Sequence, residues 1–134
     1  MKIPKIVKAS LFFYVAFGIA ILSLLPPKQV ELGSSDKLSH FIAYFILMLS
    51  FGIWREKNKH LFVGILLMVA YGILLEFLQG LVPGRVPSFL DAIANTGGVV
   101  LGACLFYFLT KHRPSLFITR EMRNDRGAVT KIIS

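Results

Sequence analysis

One cysteine and seven acidic residues are all that this 134-residue chain has of those types. A lone Cys104 closes no internal disulfide and leaves no Cys-x-x-Cys pair for a metal knuckle or a redox framework. The chain also has no His-Glu-x-x-His, no Gly-x-Ser-x-Gly, no phosphate-binding loop and no dinucleotide glycine fingerprint. No known catalytic motif is therefore present, and enzyme activity cannot be read from signature residues. The shortage of acids against 15 lysines and arginines leaves a net charge of +8. Such a charge suits nucleic acid, but here the basic residues flank hydrophobic runs and form no aromatic-interleaved soluble surface. No nucleic-acid partner is expected.

Apolar residues are abundant, at 55% of the chain against a usual ~45–50%. They fall in blocks. The first run, 9–25, follows a start with three lysines and ends at Pro26-Pro27. A basic start and an apolar middle suit a secretory signal, but ILSLLPPK offers no small-x-small cleavage pair. We read an uncleaved transmembrane helix, since a run of that length at ~1.5 Å per residue covers about 26 Å. Polar residues 26–37 follow, and Ser34 or Ser35 is placed to cap the next helix. The second run is 38–54, closed by Trp54 at an interface. After the charged loop 55–60 comes the third run, 61–79. Loop 80–88 carries Pro83-Gly84 and Pro87, and the fourth run is 89–110. Residues 111–134 form a basic tail, read as a short surface helix or disorder. The expectation is an all-α membrane domain over 1–110, a bundle of four transmembrane helices.

Topology follows from the lysines and arginines. Lys2, Lys5, Lys8, Arg55, Lys57, Lys59 and the six basic residues of 111–134 fall on one side, leaving Lys28, Lys37 and Arg85 on the other. Both termini are then expected in the cytoplasm, with loops 26–37 and 80–88 facing outward. The odd polar residues agree. Asp36 and His40 open the second run, Glu76 and Gln79 close the third, and Asp91 and Asn95 open the fourth, all at the outward ends. Polar groups at membrane depth are costly and call for a reason.

Each has a plain and a functional reading. Asp36 and His40 share a helix face, which Tyr44 continues one turn deeper. They are an acid–base dyad or a helix-start acid beside an interfacial histidine. Glu76 lies inside an apolar run with Gln79 three residues on, and Lys37 and Arg85 are the nearest outward cations. It serves a ligand or a structural ion pair. Asp91 and Asn95 share a face with Gly98 and Gly102, where asparagine and glycine pack helices or asparagine binds a ligand. Asp36, His40, Glu76 and Asp91 together would suit Zn²⁺, Mn²⁺ or Mg²⁺, although no fixed spacing supports a metal and no cofactor is expected.

DKLSHFIAYFIL and EFLQGLVPGRVPSFLDAIANTGGVVLGA resemble the VanZ-like family of small membrane proteins. The resemblance covers most of 36–102 and falls on Asp36, Lys37, His40, Tyr44, Glu76, Gln79, Arg85, Asp91, Asn95 and Gly98. It implies a multi-pass protein of the bacterial cytoplasmic membrane with its site facing the periplasm or exterior. The family takes its name from a member linked to teicoplanin resistance, so the resemblance implies a cell-envelope setting and no particular reaction.

Three functions are open. In the first, Arg85, Lys37 and His40 hold an anionic group of an envelope lipid, lipid-linked wall precursor or lipoglycopeptide, while Glu76, Asp91 and Asn95 orient it. In the second, a membrane-embedded enzyme uses His40 or Glu76 as general base and Arg85 as charge stabiliser, with Ser39 a weak nucleophile. In the third, the glycine face of the fourth helix joins a partner subunit.

Overall fold

A computed structural model describes residues 3–25 and 35–112. All regular structure among them is helical: α1 (Lys5–Leu24), α2 (Ser35–Arg55), α3 (Leu61–Gln79) and α4 (Phe89–His112), with a 3-10 turn at Asn58–His60 leading into α3. Each of the four is long and apolar enough to cross a membrane. Three helices are longer than the apolar runs. α1 starts at Lys5 and not 9, α2 at Ser35 and not 38, and α4 continues through Lys111 to His112. Lysine, serine and aspartate lower local hydropathy without stopping a helix, so hydropathy marks the span and misses its polar ends. Pro4 caps α1 with φ −58°, a position where its missing N–H is no loss. Residues 26–34, with the expected Ser34 cap, and 113–134 of the basic tail lie outside the described residues.

The helices alternate in direction. At one end, Lys8 of α1 pairs with Glu56 just after α2, and Thr110 Oγ1 of α4 donates to Asn58 Oδ1 at 2.9 Å. Trp54 stacks on Phe12 there, with ring centroids 5.3 Å apart. The opposite end holds the last turns of α1 and α3 and the first turns of α2 and α4, and we call it the polar end.

α2 and α4 form the most extensive helix pair. Hydrocarbon supplies no hydrophobic drive between helices, so association rests on close packing at small residues. Gly98 and Gly102 serve that purpose. A Cβ on Gly98 would collide with the Phe41 carbonyl oxygen and lie 3.0 Å from the Phe45 nitrogen. One on Gly102 would lie 2.9 Å from the Phe45 carbonyl oxygen. The glycine face considered for a partner is thus occupied by α2 of the same chain. Tyr44, Leu47, Met48, Val99 and Phe106 fill the interior around this seam. α1 is peripheral, burying only Phe12, Ile19 and Ser23, and is tied to α3 by Tyr71 Oη, which donates to the Ala16 carbonyl at 2.6 Å. Phe17, Phe62, Phe77 and Phe108 point outward, giving the bundle the apolar perimeter that lipid contact requires.

Candidate functional site at the polar end

The site grows from the start of α4. Ser88 stands just before that helix, and its carbonyl accepts from the Asp91 and Ala92 N–H groups at 3.0 and 3.2 Å. Its Oγ accepts from the Asp91 N–H at 3.4 Å, the ordinary work of a helix N-cap. Its own N–H donates to Glu76 Oε2 at 3.2 Å. Glu76 is buried near the end of α3, so its carboxylate fastens the α3–α4 turn from beneath. Gly84, at φ 83°, makes the tight reversal between the two helices.

One helical turn into α4, Asp91 and Asn95 face α2, and both are buried. His40 Nδ1 lies 3.1 Å from Asn95 Oδ1. An amide oxygen only accepts, so Nδ1 carries a proton and donates it. Ring orientation then turns Nε2 toward two carboxylates, Asp36 Oδ1 at 3.8 Å and Asp91 Oδ2 at 4.0 Å. Glu76 stands within electrostatic reach of His40, Asp91 and Asp36. Tyr44 lies deeper on α2, within electrostatic reach of Glu76; its hydroxyl is buried and hydrogen-bonded to no described residue.

The residues singled out in the sequence therefore divide into two groups. Asp36, His40, Asp91 and Asn95 converge, with Glu76 and Tyr44 alongside. Gln79 and Arg85 do something else. Gln79 Nε2 donates to the Ser23 carbonyl at 3.0 Å, and Arg85 donates from Nε to the Leu25 carbonyl at 3.1 Å and from Nη2 to that of Leu22 at 3.4 Å. Both side chains cap the last turn of α1, whose carbonyls have no partner within the helix. Lys37 and Ser39 are exposed on α2. The convergent group is acidic, with three carboxylates around one imidazole.

Arg85→Met is expected to loosen α1 and leave the acidic group intact. Two hydrogen bonds to carbonyls are removed, at about 1–3 kcal/mol together. Thermal unfolding in detergent should show a lower Tm.

Ser88 is the residue of this end that the motifs did not single out. The spacing Ser88-x-x-Asp91 at the foot of an apolar run is a capping signature and would have found it. Nothing in the sequence pointed to its contact with Glu76.

Beside this group, a groove of about 690 Å³ opens between α3 and α4. Ile73, Phe77, Phe89 and Ile93 give it apolar walls, and Glu76 and Ser88 lie along its polar edge.

A model of the VanZ/LLP1 family matches residues 3–110. That span takes in α1 and nearly all of α4, more than the 36–102 covered by the recognisable motifs. No curated protein and no solved structure matches the chain.

Proposed function

The chain belongs to the VanZ/LLP1 family and is a multi-pass membrane protein, and from that premise we propose that it binds an envelope lipid or lipid-linked wall precursor at its polar end. The lipid chain lies in the α3–α4 groove, and the polar head meets Glu76, Ser88 and the His40 group. The observation that carries this reading is the groove itself: an apolar trough whose polar edge is a buried carboxylate. Ligand sites commonly combine apolar walls with a few fixed polar groups in this way. An acyl-bearing lipoglycopeptide has the same two-part chemistry, which accommodates a role in glycopeptide resistance.

Charge distribution supports the orientation. Among the described residues, Lys5, Lys8, Arg55, Lys57, Lys59 and Lys111 belong to the end opposite the polar end, and Lys37 and Arg85 to the polar end. Both termini then face the cytoplasm and the site faces the periplasm or exterior of a bacterial cytoplasmic membrane.

Native mass spectra of detergent-purified protein test the groove. Wild type should carry a discrete lipid adduct whose mass identifies the class. Ala92→Phe puts a ring into the groove and should deplete that adduct about tenfold, equivalent to about 1.4 kcal/mol of lost contact. An adduct that survives Ala92→Phe unchanged would remove the groove as its site.

A further inference from the structure

We propose that Asp36, His40 and Asp91 form a binding site for a divalent transition-metal ion of the Zn²⁺ or Mn²⁺ type. The inference goes beyond the lipid reading and stands without it. One ligand atom from each residue lies within 4.8 Å of the other two. The ligands come from two helices, Asp36 and His40 from α2 and Asp91 from α4, and the glycine seam holds those helices together.

The distances leave room for an ion between the side chains. His40 Nε2 is 3.8 Å from Asp36 Oδ1 and 4.0 Å from Asp91 Oδ2, beyond hydrogen-bond length. Ligand atoms each about 2.0–2.2 Å from one ion stand about 3–4 Å apart. The two His40 separations lie at the upper end of that range, and the ligand atoms, within 4.8 Å of one another, draw inward to hold one ion.

Proton placement points the same way. With Nδ1 donating to Asn95 Oδ1, the other ring nitrogen, Nε2, is the one turned toward the two carboxylates. A divalent cation bound to Nε2 and to both carboxylates would offset the negative charge gathered there. Asn95 is itself buried and comes from outside the ligand set. It plays the part of the hydrogen-bonded outer residue that fixes tautomer and ring angle for metal-ligating histidines.

One imidazole with two carboxylates is a donor set for zinc or manganese, softer than an all-oxygen calcium or magnesium cage.

Equilibrium dialysis against Zn²⁺ and against Mn²⁺ tests the site, with bound metal counted by mass spectrometry. The full chain is purified in detergent through a tag without histidine. His60→Gln and His112→Gln are introduced together to remove the other two histidines of the chain. Saturable binding of one ion per chain is expected to persist in that background. His40→Gln should abolish it. Asn95→Ala should weaken it about 10- to 100-fold. Asp36→Asn removes a ligand whose side chain is 57% exposed, so the protein folds and the loss of affinity is read directly. Absence of saturable binding in wild type overturns the proposal. So does binding that disappears with His60 and His112, or binding that Asp36→Asn leaves unchanged.

Discussion

Gly98→Ala is expected to give the largest loss of stability of any single methyl group added to this protein. The added carbon falls on backbone, the Phe41 carbonyl oxygen and the Phe45 nitrogen, and backbone of a packed helix cannot rotate away as a side chain does. Relief requires α2 and α4 to separate along their whole contact. Overpacking commonly costs 1–3 kcal/mol, and we expect about 3 kcal/mol here. Tm in detergent should fall by more than about 10 °C. Gly102→Ala, with its nearest backbone atom at 2.9 Å, should rank second. Gly18→Ala meets nothing within 4 Å and should be neutral or stabilising by up to about 1 kcal/mol. Equal Tm values for Gly98→Ala and Gly18→Ala would mean that α2 and α4 do not approach this closely. The same loss would scatter the His40 group, since its residues come from both helices.

The second large effect separates two roles of Glu76. Glu76→Gln retains a carbonyl-type oxygen to accept from the Ser88 N–H and loses the charge. It should fold with a loss of no more than about 1 kcal/mol. Its lipid adduct in native mass spectra should nonetheless fall about tenfold, because charge-assisted hydrogen bonds are roughly twice as strong as neutral ones. Glu76→Leu removes the acceptor as well and leaves the Ser88 N–H without its partner. That variant should lose a further 1–3 kcal/mol or so in stability and lack the adduct too. If Glu76→Gln keeps the full adduct while Glu76→Leu unfolds, the carboxylate fastens the α3–α4 turn and has no part in binding.

Arg85 and Gln79 make contacts that the sequence did not foretell. Both lie at the polar end, and both match the family pattern. Arg85 was expected, with Lys37 and His40, to hold an anionic group. In the folded chain its guanidinium reaches the carbonyls of Leu22 and Leu25 at the end of α1. The last turn of any helix needs such partners, but the sequence does not say which loop will supply them. His40 and Asp91 were easier. Each shares a helix face with a second polar residue at i+4 or i−4, and both faces open at the same end of the bundle.

Hydropathy and length are local properties, so the sequence alone determined the class: four membrane-length helices, their order, the α3 bounds at 61–79 and the collection of polar residues at one end. It also carried the family, because the motifs survive as short strings. Helix ends were off by up to four residues, at α1, because polar helical residues do not register as apolar. Only the tertiary structure decided which polar group faces which. Periodicity tells which residues share a face of one helix. It does not set the rotation of that helix against its neighbours or the path of a loop. Those are set by the packing of Gly98 and Gly102 on α2 and by the turn that Ser88 and Glu76 hold. From these contacts come the pairing of His40 with Asn95, the acidic group around it and the groove beside Glu76.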